Sequence, residues 1–478
     1  MPAIRSTLCA SLACIAGFTV AAAPASASHN QTTFFEAPVE LLDPVARPAT
    51  IAKLQALGVH ALRIQLHWAN VAPDPTSATR PTFDATNPAN YNWGQYDALI
   101  TEAQLLHWKV LLTVTSAVPR WATAGHSDKL GVTRPDPSQF EQFMTAVGRH
   151  YGSAVSLFAI WNEPNHPDFL RPQFGANGAP TSPRIYRGLW QAGYAGLQAA
   201  GIAHPKVLFG ETAPGGEIHV SAKGSKLKDV APLTFMREAL CLDRHYRKSK
   251  TCGALPIAGF AIHPYEKAVS PRYVPAGADN VTIGVLSRLT HALDLAAHAH
   301  AIPAHSPVYI TEFGINSKPN KFLGVSVTQQ AVYDAVSERI AYNNPRVASF
   351  SQYLLKDDPL SGSVAVGGVG FQTGLEYVNG APKPLYFAFP VPLVVAKQGK
   401  HYSLWGLIRP ANGATKATVE VNNGKGFHKL KVATTNAQGY WSFTSSTRGK
   451  DWRVRWRSPA TASSPAGTLY TGPSIPAY

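Results

Sequence analysis

The chain has 478 residues, 43 of them Lys or Arg against 28 Asp or Glu, for a formal net charge of +15. That length suits one large folded unit plus a smaller one. After the N-terminal segment no stretch approaches the ~18 uninterrupted apolar residues of a membrane span, which excludes a helical membrane protein.

Residues 1–27 carry Arg5 near their start, run apolar and small to Ala23, and end in Ala25-Ser26-Ala27. A positive start, an apolar middle and an A-x-A end make a secretory signal, so the mature chain is expected to be exported. Cys9 and Cys14 leave with it. Cys241 and Cys252 remain, flanking a basic loop, and in an oxidising compartment they are expected to form one local disulfide. With no histidine ligands at finger spacing, they do not read as a zinc site.

From about residue 31 to 389, apolar strand-like runs alternate with amphipathic helical patterns. Strands are predicted near 32–37, 61–67, 109–115, 155–162, 206–211, 257–263, 307–312 and 347–354. Helices are predicted over Pro48–Leu57, Asp97–Leu106, Phe140–Tyr151, Ile185–Ala200, Leu286–His300 and Thr328–Asn343. Eight strands, most followed by a helix, predict an α/β fold, a (β/α)₈ TIM barrel over 28–389. A doubly wound open sheet is the alternative, but its glycine-rich phosphate turn is missing after the first strand. Surplus length falls in 116–138, 164–184, 212–230, 264–284 and 354–384, the strand-to-helix loops that build substrate sites in such barrels.

The character changes at about residue 390. Short alternating runs at 394–396, 403–407, 417–421, 428–433, 440–443 and 452–456, separated by Gly/Asn turns, predict an antiparallel β-sandwich over 390–478. Twelve Lys/Arg and only two acids fall in this segment, a net of +10, leaving residues 28–389 at about +4. The basic character thus belongs to the tail. For an exported chain, an anionic wall polymer is a better partner than nucleic acid, and a generally solvated basic surface is the plain alternative. Trp405, Trp441, Trp452 and Trp456 are expected to fill the sandwich core in preference to forming a sugar platform.

Two strand ends carry the chemistry. Trp161-Asn162-Glu163-Pro164 closes the apolar run 156–160, and Glu312-Phe313-Gly314 closes 308–311. A carboxylate at the carboxyl end of a buried parallel strand must face a cleft, because a buried unpaired charge is too costly. Paired carboxyls of this kind are what cleavage of a glycosidic bond requires, whereas either one alone could be a structural ion pair. Arg63 and Tyr265 are the donors expected beside Glu312. Glu36 and Glu211 are rival strand-end carboxylates, with Glu211 the first replacement if a role has been misassigned.

Trp-Asn-Glu-Pro-Asn at 161–165, Ile-Thr-Glu-Phe-Gly at 310–314, His263-Pro264-Tyr265 on strand six, and Arg63 with His67-Trp68 on strand two resemble the clan A retaining glycoside hydrolases. More narrowly, they are similar to secreted, actinobacterial-type, cellulase-like proteins related to families 39 and 5, and the likeness covers most of 31–389. It implies Glu163 as general acid/base, Glu312 as nucleophile and Asn162 as donor to the sugar 2-hydroxyl. It also implies hydrolysis of O-glycosidic bonds in a β-linked poly- or oligosaccharide of glucan or xylan type, with α-L-arabinosidic variants open. No cofactor or metal is implied. A transglycosylase would use the same residues, and a non-catalytic carbohydrate-binding protein on a glycosidase scaffold is the alternative from another class.

His263 either bonds the nucleophile's surroundings or a substrate hydroxyl, or is a satisfied core histidine. Trp68, Trp121 and Trp161 lie near strand ends, where sugars stack, though each equally suits core packing. Gln173 and Tyr353 complete the candidate cleft. His291, Asp294 and His298 share a helical face in a metal-like spacing, but on an outer helix they read as solvated surface.

Overall fold

A computed structural model describes residues 30–478, except 222, 226, 267–269, 360–369, 461–463 and 465. The expected signal segment, 1–27, and its two cysteines therefore lie outside the described residues. Eight parallel strands close a barrel in chain order: β1 (Thr32–Glu36), β2 (Ala61–His67), β3 (Lys109–Thr115), β4 (Leu157–Ile160), β5 (Val207–Thr212), β6 (Gly259–Ile262), β7 (Val308–Ile310) and β8 (Val347–Tyr353). Closure is made by β1 on β8, with Glu36 opposite Tyr353.

These strands are almost wholly buried because each is covered on both faces. One face meets the outer helices. The other fills the barrel, where a floor of Phe34, Ala61, Leu111, Leu157, Ala159, Leu208 and Ala261 packs together. Alternation then decides what lies above that floor. Glu36, Arg63 and Thr113 each follow a floor residue by two positions, so the same inward face carries a polar layer nearer the strands' carboxyl ends.

The helices expected from periodicity are present as Arg47–Ala56, Gly94–Leu105, Pro137–Tyr151, Ser182–Ala199, Leu286–His298 and Val327–Tyr342. Asp136 caps the third by accepting from the Ser138 and Gln139 amides, just before a proline in its first turn. The third and fourth pack closely where Gly196 faces the Glu141 carbonyl, since a Cβ there would stand 2.4 Å from that oxygen. The helix Pro232–Ala239 and the shorter Pro38–Leu42, Trp68–Val71 and Pro384–Ala388 have no counterpart among the predicted elements: even the first is only about two turns long and gives periodicity little to work on. Cys241 and Cys252, just beyond Pro232–Ala239, are joined as a disulfide. No helix among the described residues is long and apolar enough to cross a membrane.

The remaining strands are antiparallel: β9 (Leu393–Gln398), β10 (His401–Leu407), β11 (Lys416–Asn422), β12 (Phe427–Thr434), β13 (Tyr440–Ser445), β14 (Asp451–Arg457) and β15 (Leu469–Thr471). They form one sheet in the order β13-β10-β9 and another in the order β12-β11-β14-β15. The last strand, three residues in a Ser/Pro/Gly-rich tail, was not expected. Trp405, Trp441, Trp452 and Trp456 are at most 4% exposed and fill the core between the sheets, so they offer no sugar platform. That core continues into Val332, Ala335 and Val336 of the helix Val327–Tyr342. Arg409, counted above with the basic tail, is buried at this junction. It donates to both Glu338 oxygens at 2.9 Å and to Thr33 Oγ1 at 2.6 Å, and its guanidinium lies 4.1 Å from the Phe389 ring centre.

Candidate active site

The polar layer converges on Arg63. Its Nε and Nη2 donate to the two oxygens of Glu211 at 3.1 and 2.8 Å, and Nη1 donates to Glu312 Oε2 at 2.9 Å and to Glu36 Oε2. Nη2 also donates to Asn162 Oδ1 at 2.6 Å. One fully buried cation therefore faces three carboxylates, and burying any of them without it would be costly. Gln65 donates to the free oxygen of Glu36 at 2.7 Å.

Glu163 and Glu312 meet above this layer. Each has an oxygen that lies, together with a ring nitrogen of His263, within 4.8 Å of the other two. His263 Nδ1 is 2.9 Å from Glu163 Oε1 and 3.8 Å from Glu312 Oε2, while its Nε2 is buried without a partner among the described residues. The chain leaves β4 abruptly to present the first carboxyl: Trp161 has φ +73° and Glu163 φ +38°, both costly for residues with a Cβ. That turn is why the strand predicted over 155–162 stops at Ile160. The Glu163 amide is anchored on the Glu211 carbonyl at 3.0 Å.

Burial pushes Glu163 and Glu312 up to about 7. At this separation the two carboxyls titrate as a pair, and the second charge is resisted by the first. Their donors decide where the retained proton sits. Glu312 accepts from Arg63 and, at 2.8 Å, from the Tyr265 hydroxyl, which is what an ionised carboxylate needs. Glu163 has His263 as its one side-chain hydrogen-bond partner, and burial lowers that imidazole to about 4 and so keeps it neutral near pH 7. The protonated member is therefore Glu163. Tyr265 remains a donor, since burial and the Glu312 charge hold its hydroxyl far above its ordinary range.

Asn162 spends its carbonyl on Arg63 and its backbone amide on Thr115 Oγ1, leaving its own NH₂ as a donor toward the cleft. Tyr353 is half-buried beside Glu312, whose charge it feels, and its ring packs edge-on against Phe371. Six of the expected residues, Glu163, Glu312, Asn162, Arg63, His263 and Tyr265, thus come together, with Tyr353 at the margin.

Four do not, contrary to expectation. Trp68 is 1% exposed, stacked on Phe143 and edge-on to Trp121. Trp121 is equally buried, with its indole N–H donated to the Pro73 carbonyl. Neither ring has a face free for a sugar; both are core, as is Trp161 at 0% exposure. Gln173 is also fully buried, its amide tied to the Pro164 and Leu170 carbonyls and to Ser182, so it braces the loop after β4. Asp294 pairs with Arg346 at 2.6 Å, in keeping with a solvated helix face.

Two residues beside the acid carried no sequence signal strong enough to find. His166 hangs on the Glu163 carbonyl by its amide at 2.8 Å and lies 3.6 Å from Asp229, whose charge helps to raise Glu163. His166 is only three positions beyond Glu163, but Asp229 comes from a loop with no motif. Glu163, His263 and Glu312 are also the one cluster among the described residues with a metal-like span, although Arg63 already supplies the positive partner to Glu312.

No family model and no curated protein matches this sequence. Among solved structures it is similar to a glucosidase from Croceicoccus marinus, at 11% identity and a TM-score of 0.51 over 88% of this chain and 94% of that one. An endo-β1,6-glucanase (12% identity, TM-score 0.44, 89% and 94% covered) and xylanase 10B from Thermotoga maritima (14%, 0.43, 76% and 94%) also match. At these identities the likeness is one of fold.

Proposed function

We propose that this chain is a retaining glycoside hydrolase acting by double displacement. The observation that carries the proposal is the pair of carboxyls at the ends of β4 and β7, with oxygens within 4.8 Å of each other. A retaining enzyme holds its carboxyls ~5–5.5 Å apart, whereas an inverting one leaves ~6.5–9.5 Å for a water. In the first step Glu163 gives its proton to the glycosidic oxygen as Glu312 attacks the anomeric carbon; the C–O bond breaks and a glycosyl ester forms. In the second step Glu163 takes a proton from water, whose oxygen displaces Glu312 with net retention. The Asn162 amide and Tyr265 hydroxyl line the path as donors that strengthen as the oxocarbenium ion develops.

A β-linked glucan or xylan is the proposed substrate class. Support comes from the motifs at 161–165 and 310–314, and from the fold likeness to a glucosidase. The N-terminal segment supports export, and the net basic charge after residue 390 supports retention on anionic polymer. The test is incubation with activated aryl β-glycosides, with product anomers followed by NMR. Release of the β-anomer by the native protein, and its loss in Glu312→Ala, is the expected result. An inverted product, or Glu312→Ala at near-native turnover, overturns the assignment.

A further inference from the structure

Glu211 lies at the end of β5 on no expected catalytic path, yet both Arg63 and the Glu163 backbone are bonded to it. Its carboxylate takes Arg63 by two N–H groups, and Thr113 Oγ1 donates to it at 3.1 Å. Its carbonyl takes the Glu163 amide. Arg63, so held, in turn bonds Glu312 and Asn162. The backbone is bent to allow this. Gly210 at φ +112° and Glu211 at φ +52° break the β5–β6 register between Gly210 and Thr212, a bulge of the kind that re-aims a side chain.

We propose that Glu211 is the positioning residue of this site: its carbonyl places the acid, and its charge determines how much of Arg63 is left for the nucleophile. The inference rests on the glycosidase reading for its functional meaning but not for its measurement. The ionisable groups around Glu211 are Arg63 on β2, Glu36 on β1, Glu163 after β4, His263 after β6, Glu312 after β7 and Tyr186 on the helix Ser182–Ala199, whose hydroxyl accepts from the Gly210 amide. Among these Arg63 is the sole permanent cation, so removing one negative charge leaves more of it to Glu312 and relieves Glu163 as well.

The experiment is a pair of isosteric variants, Glu211→Gln and Glu36→Gln. Each is followed by the pH dependence of kcat/KM on an aryl glycoside and by ¹³C NMR titration of glutamate-labelled protein. Glu211→Gln is expected to move both Glu312 and Glu163, and with them both limbs of the profile, ~1 pH unit toward acid. Glu36→Gln shares Nη1 with Glu312 and has no hydrogen-bonded link to Glu163, so it should move the acid limb alone. A uniform fall in activity with both titrations unmoved would make Glu211 a structural residue only and overturn the proposal. Should Glu211→Gln fail to fold, Glu36→Gln decides: an unmoved Glu312 titration refutes control through Arg63. A protein that titrates as expected but turns over no glycoside would refute the glycosidase reading and leave this inference standing.

Discussion

Replacing Glu312 with Gln removes a charge from beside Glu163 at almost constant shape. Their oxygens lie within 4.8 Å, and at an effective dielectric of about 20 two unit charges at that span repel by ~3.5 kcal/mol. One pH unit is worth 1.36 kcal/mol, so this repulsion accounts for up to ~2.5 pH units of the Glu163 titration. Burial, the larger cause, stays in the variant. Glu163 should therefore titrate ~2 pH units lower in Glu312→Gln than it does beside an ionised Glu312. ¹³C NMR of labelled glutamates reads the shift directly and needs no turnover. In the proposed mechanism the same loss of charge accompanies esterification of Glu312, which would let one residue serve as acid in the first step and base in the second. A drop smaller than half a unit would show that burial alone holds Glu163 up and would refute the pairwise account.

Glu163→Gln should lower the glycosylation rate by ~10²–10⁴-fold on substrates with poor leaving groups and spare activated aryl glycosides, as a leaving-group series measured before steady state will show. Arg63→Met leaves Glu36, Glu211 and Glu312 without their cation and should cost ~3–5 kcal/mol in urea unfolding at pH 7. Part of that loss should return on acidification. A carboxyl raised in the folded state gives stability that is full below its unfolded value and is lost as pH rises through the folded one, and Glu312 is already raised to about 7. The disulfide closes a loop of sequence separation 11, so Cys241→Ala with Cys252→Ala should lower stability by up to ~3 kcal/mol, measured against the oxidised parent.

The barrel is legible in the sequence because its strands are short apolar runs with helical patterns between them, and a parallel strand buried on both faces has little other way to read. Glu163 and Glu312 are legible for the same reason, as charges at the ends of runs that cannot hold them. Less legible is which neighbour each strand end meets. Trp68 and Trp121 stand near strand ends as the cleft residues do, but their faces are closed by Phe143, Phe140 and each other. Glu36 and Glu211 read as rivals to the catalytic pair because nothing local shows that both will close on Arg63 from opposite sides of it in sequence. That depends on barrel closure and on the bulge at Gly210, neither of which leaves a period to detect. Helix Pro232–Ala239 and strand Leu469–Thr471 are too short for pattern to outweigh their Pro- and Gly-rich surroundings.

The Arg409 junction ties the two ends of the molecule into one cooperative body. A chain cut near residue 390 would strip the guanidinium from Glu338, open the faces of Val332, Ala335 and Val336 to water, and release Thr33, three positions before Glu36 on the same strand. Loosening that begins in the C-terminal sheets thus has a short route along β1 to the polar layer, so heat inactivation should coincide with a single melting of tail and barrel together.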